Sequence, residues 1–358
     1  MTARVDLIVI GAGISGLATA LWLFQSGLKP AVIPGPRMND LLSPLDLSLA
    51  LPWRQHRVVN QLEVRGMTLM RELLTHLSQA TGVDLPMEGR DLLVPAAIVE
   101  RELPLQAADS MELVQGPAAT FDPQLAEGHE QIWCLPGRAE VRSDRLMRAL
   151  HLDLMRRGVD IFENRSVRRL EVSGNIVLGV EMNDREFIAA DATILATDQA
   201  SAAILKDSGL EAIEGGADLM PALQFAPSSA SLRCALIESA FLMAPRADGR
   251  LVASSHFDST QTEALPLDEL CGQVYRRLPG LGRHDLEQSG RLPTPGSVRK
   301  VSVGAYPGVR GLWLNLGHEA LGPVIAPAAA EFLTEQLAGG RAVDAIKPTL
   351  SRSLQPSC

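Results

Sequence analysis

The spacing of apolar positions changes period within the first turns of the chain. Val5 to Ile10 is a β-branched apolar run of strand length, and from Ile14 small and aliphatic residues recur at helical spacing to about Gln25. Gly27 supplies the helix stop. Ala31-Val32-Ile33 then predicts a short second strand, closed by Pro34-Gly35-Pro36. Asn39 to Arg54 is rich in turn residues and reads as loop. A helix is expected from about Val58 to Thr81, with Val64, Met67, Leu69, Met70, Leu73, Leu74 and Leu77 as its core stripe. Asp91 to Pro95 and Met111 to Val114 predict short strands. Ser143 or Asp144 is the expected N-cap of a helix whose face is Leu146, Ala149, Leu150 and Leu154, ending at Gly158.

Beyond Gly158 the pattern is β-rich. Val159 to Phe162 predicts one strand, and Val167 to Val172 with Ile176 to Met182 a hairpin across Ser173-Gly174-Asn175. Phe187 to Ala189 and Thr193 to Ala196 read as two further strands, the second continuously apolar as in a buried parallel sheet. From Asp218 to about Gly304, strands and turns alternate around one helix, Leu267 to Arg277. A strand at Gly311 to Leu316, a glycine-rich turn and a helix from about Ala326 to Ala338 close the pattern. At 358 residues the chain exceeds the usual size of one core. The expected organisation is a discontinuous α/β domain (1–80, 138–205, 306–345), an inserted mixed-sheet α+β domain (81–137, 206–305) and a frayed tail (346–358).

Composition narrows the function classes. The net charge of −9 and the lack of a basic run argue against a nucleic-acid surface. Cys134, Cys234, Cys271 and Cys358 have no metal-ligand spacing, so neither a disulfide framework nor a zinc site is expected. No apolar stretch reaches transmembrane length. A reduced, cytoplasmic protein is the expectation, and Asn164-Arg165-Ser166 reads as a chance glycosylation match.

Candidate chemistry begins at the first turn, where Gly11, Gly13 and Gly16 have the spacing G-x-G-x-x-G between a strand and a helix. Gly11 permits the tight turn, Gly13 lets a dinucleotide pyrophosphate approach the backbone, and Gly16 lets helix and strand pack closely. The helix then points its positive end at the phosphates. At the end of the second strand such units carry an acidic residue for the ribose hydroxyls. Pro34 stands there instead, with Asp40 in the next loop. A nicotinamide-dependent reductase is the weaker reading, because Pro34-Gly35-Pro36 offers no charged group to read a ribose.

Several later segments, in order, resemble the FAD-dependent amine and amino-acid oxidases that include D-amino-acid oxidase, glycine oxidase and sarcosine oxidase. Ala139 to Leu150 with Arg156 to Ile161 resembles the helix and strand before that family's hairpin over the FAD. Ala190 to Thr197 is similar to its A-D-x-V-V-x-A-T-G strand, and Pro245 to Val252 to its P-R-x-D-G-R hairpin. Gly317-His318 with Gly322 and Ile325 to Ala328 resembles its G-H…G-I-x-x-A-P ending. Gly290 to Gly296 resembles its G-x-R-P-x-T-P-D-G segment, with the arginine one place early and the aspartate missing. Asp198 replaces a glycine, Pro34 an acidic residue, and Phe241 and Leu242 stand where a tyrosine is usual.

The resemblance implies a Rossmann-like FAD-binding domain and a soluble oxidase or dehydrogenase for a small amine or amino acid. It implies that Gly11, Ala12, Gly13, Ile14, Ser15, Gly16, Val167, Ala196, Thr197, Gly317, Gly322, Pro323, Val324 and Ile325 hold FAD. Arg291 would grip a substrate carboxylate in bidentate fashion, and His318 would orient the flavin ring or a water. No metal is expected. Assembly with copies of the chain or with another subunit is compatible with the pattern. The alternative is a catalytically degenerate or partner-dependent flavoprotein subunit of the same fold. Trp313 and Tyr306 read as core or rim aromatics.

Overall fold

The computed structural model describes residues 3–35, 48–49, 57–85, 88–102, 114–125, 131–163, 165–197, 199–213, 219–228, 232–246, 248–255, 264–282, 285–293, 301–318 and 322–338. In chain order the elements begin with β1 (Ala3–Ile10), α1 (Ile14–Gln25), β2 (Pro30–Ile33), β3 (Ser48–Leu49), α2 (Arg57–Thr81), β4 (Glu88–Pro95), α3 (Ala96–Glu102), β5 (Val114–Gly116), α4 (Ala118–Phe121) and β6 (Ile132–Val141). Next come α5 (Ser143–Arg156), β7 (Asp160–Ile161), β8 (Val167–Ser173), β9 (Ile176–Met182), β10 (Phe187–Leu195), α6 (Gln199–Asp207), β11 (Leu219–Phe225), β12 (Ala235–Ile237), β13 (Phe241–Pro245) and β14 (Leu251–Ser255). The last are α7 (Leu267–Arg277), β15 (Leu286–Pro293), β16 (Ser302–Ala305), β17 (Leu312–Leu316) and α8 (Gly322–Leu337).

The first sheet runs β16-β17-β10-β1-β2-β7, with the β8–β9 hairpin attached to β10. From β17 to β7 the strands are parallel. Alternation along β1 feeds two cores, as side chains on a pleated strand must. Leu7 and Val9 face α1, α2, α5 and α8, while Ile8 and Ile10 face the hairpin and α6. Burial on both faces explains why β1 reads as a continuous apolar run. The second sheet runs β15-β11-β14-β13-β12-β4-β6-β3, with β5 beside β6. It is mixed, since β12 pairs parallel to β4 and the other pairs are antiparallel. Helix α7 covers one of its faces through Leu270 and Val274, with Leu278 just past its end.

Several expectations shift. Residues 187–195 form one strand, with Asp191 exposed level with Asp6 on β1. A polar residue at an edge of the core does not break a ladder that is bonded on both sides. Ser48–Leu49, inside the expected loop, pairs with Val141 and Glu140. Arg142, not Ser143 or Asp144, occupies the N-cap of α5 and makes no capping bond. Asp144 instead takes both Arg142 guanidinium donors, at 3.0 and 2.9 Å. Helix α8 starts four residues before the expected Ala326, because Pro323 fits a first turn and Pro327 is accommodated inside the helix. Strand β6 lies in the second sheet through Val141, and β16 lies in the first, so both sheets extend past the expected segment limits.

Helix α2 carries the expected stripe on Leu69, Met70, Leu73, Leu74 and Leu77, but Val64 is 71% exposed. The contact with α8 is made beside it. A Cβ at Gly66 would lie 2.0 Å from the Val324 carbonyl oxygen, so the two backbones touch there. Arg65 donates Nε and Nη2 to the two Glu331 carboxylate oxygens at 2.8 and 2.6 Å. Gly272 in α7 has nothing within 4 Å of an added Cβ. Gly272→Ala is therefore expected to gain up to about 1 kcal/mol from helix propensity. Gly66→Ala gains the same propensity but forces two backbones apart, at a cost of about 1–3 kcal/mol. Denaturant titration of the two variants should give opposite signs.

Candidate cofactor site

The site forms at the carboxyl ends of β1, β2, β10 and β17, where ligands bind in open α/β sheets. Backbone bonds tie the strand ends together: Gly11 N–H donates to Ile33 O, and Ala196 N–H to Ile10 O, both at 2.8 Å. Gly11 has φ +127°, open to glycine only, and a Cβ there would lie 2.3 Å from Ala196 O. A Cβ at Gly16 would lie 2.0 Å from Gly11 O. Gly13 differs from both, with nothing within 4 Å. Two glycines of the motif thus close the turn, and the third leaves its outer face open.

Helix α1 starts at that open face. Its N-cap, Gly13, is extended and makes no side-chain capping bond, and no acidic residue lies in the first turn. Nothing in the helix's own sequence therefore offsets the positive end of its dipole, which suits a phosphate. Thr197 joins the neighbouring turns. Its Cγ2 lies 3.1 Å from a Cβ at Gly11 and 2.6 Å from one at Gly35, and its hydroxyl bonds Ser201 at 2.8 Å. Pro34 brings neither a carboxylate nor an N–H to the β2 end. Asp40 and Asp198 lie outside the described residues.

After β17, Gly317 turns the chain with φ +81° and delivers His318 onto α1. His318 is 2% exposed, and its Nδ1 is hydrogen-bonded to Ser15 Oγ at 2.9 Å. Its Nε2 is buried and has no hydrogen-bond partner among the described residues. Burial lowers its pKa from 6.5 to about 4, so the ring is neutral at pH 7. Thr19 Oγ1 donates to Ser15 O at 2.7 Å, and Asn315 Nδ2 donates to Thr19 Oγ1 at 2.9 Å. The composition of α1 held a signal for this chain: Thr19 is its fully buried polar residue in an otherwise apolar stripe. A Cβ at Gly322 would lie 3.8 Å from His318 Cβ, so the first turn of α8, Gly322 to Ile325, meets the same junction.

The other expected site residues lie elsewhere. Val167 is buried at the start of β8, packed in the cluster that holds Ile8, Ile10 and Ile33. Arg291 stands on β15, opposite Pro221 in the second sheet. Phe241 and Leu242 are buried on β13. Trp313 packs on the helix-side core, and Tyr306 donates its hydroxyl to Glu211 O at 2.9 Å. Cys134 and Cys234 are free, with burial pushing their thiols up to about 11 and about 12. They are therefore poor nucleophiles. Among the described residues no group of three or more His, Cys, Asp or Glu could hold a metal ion, and no helix is long and apolar enough to cross a membrane.

A family model described as FAD dependent oxidoreductase matches residues 6–336. Glycine oxidase from Pseudomonas aeruginosa is 29% identical over 95% of this chain and 96% of its own length. The crystal structure of glycine oxidase from Bacillus cereus superposes with a TM-score of 0.79 at 19% identity, over 98% of this chain and 100% of that one. That of L-proline dehydrogenase from P. horikoshii gives 0.76 at 16% identity, over 96% and 95%. At those identities the two structures speak to the fold.

His318 makes stability depend on pH. Its folded pKa lies below the unfolded value of 6.5, so the unfolded chain binds the extra proton between about pH 6.5 and 4. The folded state should lose up to roughly 3 kcal/mol from this group as pH falls through that window. In His318→Gln, melting temperature should fall less steeply between pH 7 and 4 than in the parent. Parallel curves for the two proteins contradict the assignment.

Proposed function

The chain belongs to the FAD dependent oxidoreductase family, and on that premise we propose that it oxidises a small amine or amino acid to the imine. The observation that carries the cofactor half of this reading is the glycine turn. Gly11 and Gly16 are consumed in packing, while Gly13 and the uncapped start of α1 remain open to an anion. Ala12, Gly13, Ile14 and Ser15 are the residues for the pyrophosphate, with Ala196 and Thr197 beside them. Gly317 and the first turn of α8, from Gly322 through Pro323 and Val324 to Ile325, bring backbone amides and a helix dipole toward the ring end. Val167 is the residue for the adenine side, through its backbone. The amine half is supported by the likeness to a glycine oxidase along nearly the whole chain.

Bound FAD supplies the acceptor for the hydride that leaves the substrate Cα with its electron pair. The protein's task is to bind, orient and desolvate. Arg291 is the residue for a substrate carboxylate, because a guanidinium fork fixes the acid in two bonds and so selects the Cα–H presented. Hydride loss from a neutral amine leaves an iminium, and water hydrolyses it to a carbonyl compound and ammonia or an amine. Neutral His318 contributes a hydrogen bond and no positive charge to this environment.

Anaerobic spectra of the purified protein test the reading directly. Oxidised-flavin absorbance should bleach on adding one of glycine, a D-amino acid, sarcosine or a cyclic imino acid. Arg291→Gln should raise KM for the amino acid about 10- to 100-fold, the worth of one charge-assisted contact. A carboxylate-free amine should not respond to that change. A flavin-loaded protein that none of these donors reduces favours the degenerate or partner-dependent subunit instead.

A further inference from the structure

We propose that Glu163, at the end of β7, supplies the carboxylate for the adenosine ribose that position 34 lacks. The proposal rests on the reading of the sheet's carboxyl edge as an FAD site and adds a residue to it. It starts from the sheet order, in which β7 is the neighbour of β2 and runs parallel to it. Ala31 pairs with Asp160 and Val32 with Ile161, and Phe162 N–H donates to Val32 O at 2.9 Å. Carried two residues past Val32 and Ile161, that register sets Glu163 level with Pro34. Both strands have just ended there, β7 in a tight turn whose Glu163 N–H donates to Ile161 O at 2.9 Å.

The side of the sheet agrees with the level. Val32 lies in the helix-side core with Ile161 packed against it, and Ile33 in the opposite core with Phe162 packed against it. Alternation returns residues 34 and 163 to the helix side. Glu163 does reach α5, where its Oε1 is hydrogen-bonded to His151 Nε2 at 3.1 Å. Arg165 is engaged by Asp184 at 2.9 Å and by Glu186, not by Glu163. The Glu163 side chain is 60% exposed, and a carboxylate accepts through two oxygens, so Oε2 is open to a hydroxyl. In dinucleotide-binding units the acid that takes the ribose hydroxyls stands at the end of the second strand. Glu163 stands at the same edge on the same side, one strand spacing of about 4.8 Å further out. It also precedes Val167, the residue for the adenine side, by four positions. A ribose joining a pyrophosphate at Gly13 to an adenine at Val167 therefore passes between Pro34 and this carboxylate.

Nucleotide binding to the full chain stripped of flavin tests this without turnover. FAD is titrated by flavin fluorescence, and ADP and 2′,3′-dideoxy-ADP by calorimetry. Glu163→Gln should weaken FAD and ADP about 10- to 100-fold, the worth of hydrogen bonds to a charged group. The parent should prefer ADP to 2′,3′-dideoxy-ADP by a similar factor. The dideoxy nucleotide should bind parent and variant alike, because it has no hydroxyl for Glu163 to accept. A variant that binds ADP as tightly as the parent overturns the proposal. So does a variant that loses ADP and dideoxy-ADP equally, which would assign Glu163 to packing with His151. A parent that binds neither FAD nor ADP overturns the cofactor reading itself and this proposal with it.

Discussion

Everything at the site depends on one close approach. Helix α1 can begin directly at the end of β1 only because Gly16 has no Cβ, which would otherwise lie 2.0 Å from Gly11 O. That contact sets the helix axis, and the axis sets where the first free amides point. It also fixes which residues of α1 face β17. Ser15 and Thr19, four apart, share the face that meets Asn315 and His318. Moving the helix away by the width of a methyl group would separate both pairs. Steric exclusion at a glycine thus governs a polar network whose members are far apart in sequence.

A second close approach places the other side of the site. Helix α8 is held by α2 at Gly66, against the Val324 backbone, and by the paired ion contact of Arg65 with Glu331 two turns on. Val324 and Glu331 are seven residues apart and so lie on one face of the helix. The ion pair is largely buried, and a buried pair is weak evidence for stability because desolvation opposes attraction. Its geometric content is stronger. A bidentate fork fixes the sliding of α8 along α2, and the glycine fixes their separation. Together they define where the first turn of α8 sits relative to Gly317 and His318.

Local physics made much of this legible from the residues. The boundaries of α1 and α7 follow from periodicity and stop signals, and the β8–β9 hairpin from Ser173-Gly174-Asn175. Misreadings arose where tertiary packing overrides a local signal. Pro323 reads as loop because proline usually breaks helices, yet the first turn of α8 has free amides and tolerates it, while Pro327 sits inside the helix. Asp191 reads as a gap between strands, although its neighbours are bonded on both sides. Gly66 left no trace in the helical pattern, because its meaning lies in a backbone 258 positions away. The Ser15–His318 contact was equally invisible, since nothing local says which of seven histidines reaches the glycine turn.

The absent acid at position 34 has a physical counterpart in the same geometry. An acidic side chain there would reach a ribose by projecting from the end of β2. In this chain the residues after β2 are used for packing, since Gly35 lies so close to Thr197 that a Cβ would come within 2.6 Å of its methyl group. Thr197 in turn presses on Gly11, so the ends of β1, β2 and β10 converge on one side chain. Proline at 34 suits that convergence, because a fixed φ limits the paths the turn can take. Among the described residues of this corner, close packing stands where a charge is usual. Among the described residues, what this corner offers an anion is the open face at Gly13 and the uncapped start of α1.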